Sequence, residues 1–207
     1  MMTGNRAVLI EALLPDHGVS TQVARAGFVV LGVILLAVSA KIVVPLWPVP
    51  MTMGTFAVLT IGAVYGPTLG LATIAAYLIC GALGMDVFAG SSASENGLAY
   101  MVGPTGGYLV GYVLAVAFLG WVARAGHDRA VWRMALALLA GNAVIYIPGL
   151  LWLGLLFGWD QPLLAWGLTP FLPGDAVKLC LAAIVVPLGW KVVGRVEKAG
   201  ATRQARR

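Results

Sequence analysis

From Met51 to Gly84 the chain runs for 34 residues without a charged side chain. Such a stretch is written for hydrocarbon, where about 17 to 25 mostly apolar residues cross roughly 30 Å. In lipid every backbone N–H and C=O must be bonded within the protein, so the spanning structures available are helices and closed barrels. The stretch is too long for one span, and "YGPTLG" at 65–70 interrupts it. Gly66 supplies a turn, and Pro67 suits the first turn of a new helix because its missing N–H would be unbonded there anyway. Two helices are predicted, roughly 53–65 and 67–84, the first short enough to span thinly or with an unusual tilt. Four other runs reach spanning length: 27–46, 105–123, 132–157 and 174–193. The reading is an all-α integral membrane protein with six transmembrane helices.

Charge placement supplies a second line of argument. Of 207 residues 60% are hydrophobic and 10% charged, against about 25% charged in soluble domains. The net charge of +5 is concentrated outside the apolar runs: 11 of the 13 Lys and Arg fall before the first, in 124–133, or from Lys191 onward. Under the positive-inside rule these clusters are cytoplasmic, which six crossings satisfy and five do not. Both termini are then cytoplasmic, as a lead-in (1–26) that has room for a short surface-lying helix and a basic, disordered tail (194–207). The outer connections 47–52, 85–104 and 158–173 hold no Lys or Arg. Trp47, Trp159 and Trp166 mark the outer interface, and Trp121, Trp132 and Trp190 the inner one. The basic residues are thus topology signals facing a lipid bilayer, and a nucleic-acid partner is not expected. The long first run, followed by others, does not read as a cleaved signal. Cys80 and Cys180 have no partner at metal-ligand spacing and read as small core residues.

Two basic residues stand apart from the clusters, Lys41 and Lys178. A charge within a span is expensive unless paired, hydrated or able to reach the interface. Lys41 lies near the outer end of its helix and reads as a side chain snorkelling to the headgroups. In "FLPGDAVK" Asp175 and Lys178 are three apart and share a helix face. Either Pro173 and Asp175 start a helix whose dipole favours the acid, or the pair lines an outward pocket and offers an acceptor and a cation to a small polar ligand. Asn142 and Tyr146 share a face of the fifth run, where an Asn needs a partner, from another helix or from a ligand. Pro148 and Pro187 are expected to kink their helices. "PLWPVPMT", with prolines at 45, 48 and 50, predicts a stiff extended rim. The connection 85–104 predicts a structureless loop or folded-over lid, with Asp86 and Glu95 solvated.

"PVPMT" at 48–52, "VFAG" at 87–90, "GPTGGY" at 103–108 and "FLPGDAVK" at 171–178 stand in the order and spacing of the BioY family, which the chain resembles over about residues 27–193. That family comprises the biotin-specific substrate-binding (S) components of energy-coupling factor (ECF) transporters. The resemblance implies capture of biotin at the cytoplasmic membrane of a bacterium, with a transmembrane coupling protein and ATPase subunits as partners and no cofactor. It assigns Asp175 and Lys178 to biotin's polar groups, with Met51, Thr52, Phe56, Phe88 and Tyr108 as lining; Asn142 and Tyr146 join the candidate contacts from their shared helix face alone. Two departures stand out. Many members carry Gln where this chain has Gly54, and the small residues expected to dock the coupling protein are reduced in the first helix to Gly32, Ala37 and Ala40.

The rival classes are an intramembrane enzyme and a solitary carrier. "LPGD" resembles an aspartyl-protease motif, but Asp86 and Asp160 fall in connections, and His17 and His127 in cytoplasmic segments. No G-x-x-x-x-G-K-[ST] is present to power transport from within the chain. A stand-alone biotin or vitamin carrier remains the alternative.

Overall fold

The computed structural model describes residues 8–14, 18–45, 47–90 and 96–204, with 195–204 described by their backbone. Helix α1 covers Val19–Lys41, α2 Gly54–Ala82, α3 Gly97–Met101, α4 Gly106–Arg124, α5 Val131–Phe157, α6 Leu163–Gly167 and α7 Leu172–Gln204. Strands β1 (Val43–Val44) and β2 (Met51–Thr52) pair antiparallel, Val43 opposite Thr52. Among the described residues five helices are long and apolar enough to cross a membrane: α1, α2, α4, α5 and the Leu172–Gly194 part of α7.

The 29 residues of α2 do not form one rod. Gly66 sits at φ 73°, ψ −178°, outside helical space, and Pro67 follows it. A Cβ placed on Gly70 would lie 3.9 Å from the Gly62 Cα and 3.7 Å from the Ile61 carbonyl oxygen. Eight residues of unbroken helix rise about 12 Å, so the chain reverses at Gly66 and its two arms run back along each other. Glycine is required there, because a side chain at this φ is strained and its Cβ would meet Val8 at 2.9 Å. Helix α4 crosses the turn at backbone distance: a Cβ on Gly120 would stand 2.6 Å from the Gly66 carbonyl carbon and the Pro67 Cα.

Helices α2, α4 and α5 form the centre, with α2–α4 the most extensive contact and α4–α5 the next. Leu59, Ile61, Ile74, Leu119, Met134, Leu138 and Ile145 are fully buried between them. In lipid such contacts hold through dispersion and close approach, since hydrocarbon tails solvate Leu as well as a neighbouring helix does. Helix α1 lies at the edge and exposes Val23, Val30, Leu31, Ile34 and Val38. Its small residues turn the other way: Gly32 packs on Thr73 and Tyr65, and Ala40 is buried. They join α1 to α2, so the small-residue docking surface expected of the first helix is not what this helix presents outward.

Several expectations change. Helix α1 starts at Val19, about two turns before the apolar run at 27, because hydropathy marks hydrocarbon thickness while a helix can continue into water. The tail expected to be disordered is helical to Gln204, where Glu, Lys, Ala, Arg and Gln favour continuation. The lead-in forms a 3-10 turn at Leu9–Leu13, tucked under the bundle and not lying on a surface, with Val8, Leu9 and Ile10 buried and Glu11 paired to Arg124 at 2.6 Å. The connection 85–104 contains α3; Glu95 lies outside the described residues. Cys180 is exposed on α7, contrary to its reading as a core residue, because its face of the helix points away from the bundle. Lys41 does not snorkel freely: its Nζ lies 2.5 Å from Asp86 Oδ1 and 2.9 Å from the Phe88 carbonyl oxygen.

Candidate substrate pocket

Helix α7 places an acid and a base one turn apart at its start, with the Asp175 N–H bonded to the Phe171 carbonyl at 2.9 Å. Both side chains are almost sealed from solvent, Asp175 at 3% and Lys178 at 7% exposure. Lys178 Nζ donates to Asp175 Oδ1 at 3.0 Å and to Thr55 Oγ1 at 3.2 Å, and the Thr55 hydroxyl lies 3.4 Å from Asp175 Oδ1. From α5 the Asn142 amide donates to Asp175 Oδ2 at 3.0 Å, and the Tyr146 hydroxyl donates to the same oxygen. Four donors from three helices therefore converge on one carboxylate. Burying two charges is favourable only when the remaining hydrogen-bonding positions are filled, and on Asp175 they are. The helix-start reading and the pairing reading both describe this residue, since Asp175 opens α7 and also gathers its neighbours.

Saturation of Asp175 shifts attention to Lys178. An ammonium has three N–H donors; Asp175 and Thr55 take two, leaving one for the cavity. Lys178, Asp175 and Thr55 line one concave, partly enclosed space between the helices. Seven aromatic residues line it, Tyr77, Phe88, Tyr100, Tyr108, Tyr112, Tyr146 and Phe171, together with Val49, Pro50 and Thr52 from the hairpin. Tyr108 is set by its hydroxyl bond to the Gly167 carbonyl at 2.8 Å and by edge contact with Tyr146, ring centroids 6.1 Å apart. Such a lining accepts a flat or sulfur-bearing ring and an alkyl chain, while one cation fixes an oxygen. Among the described residues no group of three His, Cys, Asp or Glu is gathered to hold a metal.

Of the nine residues anticipated, Asp175, Lys178, Thr52, Phe88, Tyr108 and Tyr146 line this one cavity. Asn142 stands behind the wall and reaches Asp175, with its Oδ1 buried and unbonded. Met51 and Phe56 are not brought to the lining. Strand residues alternate sides, so with Thr52 turned inward Met51 packs toward Gly174; Phe56, next to Thr55 on a helix, points about 100° away from it and packs on the core. Thr55, Tyr77, Tyr100, Tyr112 and Phe171 were missed. A signal existed for Tyr112, which follows Tyr108 by four residues on one helix face; Tyr77 and Tyr100 carry no local pattern that marks them. At Gly54 a Cβ would stand 3.1 Å from the Tyr112 hydroxyl and 2.9 Å from Thr52 Oγ1, so these two polar groups occupy the space next to the residue where many members carry Gln.

Comparison with known proteins follows the same lines. The chain is 39% identical over 161 residues to the "Probable biotin transporter BioY" of Pyrococcus horikoshii, covering 78% of this chain and 93% of that protein. It is 35% identical over 151 residues to the "Biotin transporter BioY" of Thermotoga maritima, covering 73% and 86%. Its fold is similar to a crystal structure of the S-component for biotin from an ECF-type ABC transporter, with a TM-score of 0.72 at 22% identity, over 85% of this chain and 95% of that one. The BioY family profile matches residues 15–195, nearly all of the described helices. With a match of that extent, and relatives aligned over most of their length, the chain belongs to the BioY family.

Proposed function

We propose that this protein captures biotin on the outer side of the cytoplasmic membrane of a bacterium, as the substrate-specific component of an ECF-type transporter, for which a coupling transmembrane protein and ATPase subunits provide the energy. The observation that carries the reading is the isolated, buried Asp175–Lys178 pair with one ammonium N–H left for the cavity. Biotin has a ureido ring, a thioether ring, an alkyl chain and a carboxylate. Lys178 donates its remaining N–H to an oxygen of the ligand, and the charge makes that bond worth about 1.5 to 3 kcal/mol. Asp175 acts mainly by holding Lys178, Thr55 and Tyr146 in place. The aromatic walls cover the rings and the chain. Relatives that bear the name biotin transporter support the choice of ligand.

The same proposal includes six crossings with both termini in the cytoplasm, residues 1–26 and 194–207 flanking a membrane domain at 27–193. The reversal at Gly66 supports counting α2 as two spans. So does the position of that turn next to Val8 and Gly120, on the side of the Arg124–Arg133 cluster, while Thr55 and Tyr77 at the far ends of the arms reach the pocket.

Titration of the purified protein with biotin tests the assignment: saturable binding near one per chain is expected, and no saturable binding overturns it. Biotin uptake by cells with and without ECF partners separates an S component, which depends on them, from a solitary carrier, which does not.

A further inference from the structure

The segment 86–89 contributes Phe88 and Ala89 to the pocket lining, and its three carbonyls after Asp86 are each taken by a side chain from a different helix. The Tyr77 hydroxyl from α2 donates to Val87 O at 3.0 Å, Lys41 Nζ from α1 to Phe88 O at 2.9 Å, and the Tyr100 hydroxyl from α3 to Ala89 O. Lys41 also holds the Asp86 carboxylate at 2.5 Å. Phe88 is thereby pressed inward, 1% exposed, stacked on Tyr100 with centroids 5.0 Å apart and edge-on to Tyr77 at 5.3 Å. Tyr77 and Tyr100 lie within about a dozen residues of the segment, whereas Lys41 is 47 residues from Phe88. It is also the last residue of α1, directly before the β1–β2 hairpin, whose base is closed by the Met53 N–H to the Ile42 carbonyl at 3.2 Å. That hairpin brings Val49, Pro50 and Thr52 to the lining of the same pocket.

We infer that Lys41 is a positioning residue that yokes the two rims of the pocket, holding the 86–89 segment against the hairpin so that Phe88 closes over a bound ligand. The inference rests on the biotin reading above for its ligand and on the contacts alone for its mechanics. Lys41 does not itself line the cavity. It joins α1, at the foot of the hairpin, to the wall carried by 86–89, and separating α1 from that segment breaks both of these contacts. Closure of this kind governs escape of the ligand more than its entry, because a ligand arrives at molecules that are transiently open and leaves only when they reopen.

The test uses the intact protein in detergent or nanodiscs. Lys41→Met removes both contacts, Asp86→Asn removes the ion pair and keeps the bond to Phe88 O, and Lys41→Arg keeps the charge. For Lys41→Met the biotin dissociation rate is expected to rise about three- to tenfold, with an unchanged or faster association rate. Asp86→Asn should show a smaller rise, and Lys41→Arg should restore part of the closure. In ligand-free protein, amide hydrogen exchange across 85–90 should quicken in Lys41→Met while the centres of α4 and α5 keep their protection. Unchanged dissociation in both Lys41→Met and Asp86→Asn overturns the yoke, as does unaltered exchange in that segment. If the wild type binds no biotin, the ligand assignment fails, and the exchange measurement still decides the mechanical part.

Discussion

Replacing Lys178 with Met separates the two roles that the buried pair performs. The methylene stem and volume are largely kept, so the change is the loss of the ammonium. Asp175, 3% exposed, then keeps Tyr146, Asn142 and Thr55 as neighbours but has no counter-charge. Breaking a buried pair from one side costs about 3 to 5 kcal/mol; with three donors remaining, the low end applies. At about 2 to 4 °C per kcal/mol for a chain of this size, the melting temperature should fall by about 6 °C or more. Binding loses one charge-assisted contact, about 1.5 to 3 kcal/mol, which is roughly a tenfold to 150-fold rise in Kd. The double variant Lys178→Met with Asp175→Asn is the informative one. The introduced carboxamide can turn its oxygen to Asn142 and Tyr146 and its NH2 to Thr55, so no buried charge is left and stability should return toward the wild type. Affinity should not return, since the cation is still missing. Thermal unfolding and biotin calorimetry on the wild type, the single and the double variant supply the numbers needed. Recovery of both stability and affinity in the double variant would refute the reasoning, because the ligand would then need no cation. Equal Kd for the wild type and the single variant would place the ligand elsewhere.

Two further outcomes are expected. With six crossings, a thiol-reactive, membrane-impermeant probe added to intact cells should label a Cys introduced at Asp160 and leave one at His127 unlabelled; labelling at His127 from outside would undo the topology. In the turn between α4 and α5, burial raises the pKa of the Asp128 carboxyl above its ordinary value, against the lowering effects of its bond from Trp190 Nε1 at 2.5 Å, Arg129 and His127. A raised folded-state pKa means stability that is full below the unfolded value near 3.8 and is lost as pH rises through the folded value. The wild type should therefore gain more melting temperature than Asp128→Asn as the pH is lowered from 7 toward the unfolded value near 3.8; equal slopes over that whole range would count against this account.

Much was legible because the bilayer imposes a simple grammar. The absence of charge from Met51 to Gly84, broken by Gly66 and Pro67, announced both the membrane and the turn, and the turn is where the backbone leaves helical space. Asp175 and Lys178 were marked by their rarity and their spacing, and one helical turn does bring them together. Tyr108 and Phe88 came from motifs, and they line the cavity. The misses have a common cause. Thr55 and Tyr77 are ordinary residues in apolar helices, and only the folding-back of α2 and its packing on α4 and α7 carries them to one cavity, Thr55 beside the Asp175 carboxylate and Tyr77 in the wall. Met51 and Phe56 stay off the cavity lining, because a stretch of sequence near a pocket does not say which of two adjacent side chains faces it.

The amino-acid sequence by itself determined the solvent, the class of fold, the approximate helices and the one charged pair that lipid would not tolerate without a partner. These are local or compositional properties, readable because burying an uncompensated charge or an unbonded backbone group in hydrocarbon is so unfavourable. Tertiary structure alone decided that Asp175 is saturated by donors from α2, α5 and α7, so that Lys178 and not Asp175 has a free bond to offer. It also decided that Lys41, which reads as a snorkelling side chain, spans from α1 to a segment more than forty residues away. Contacts at that separation depend on how helices pack, and helix packing in lipid is set by small differences in shape that no local pattern records.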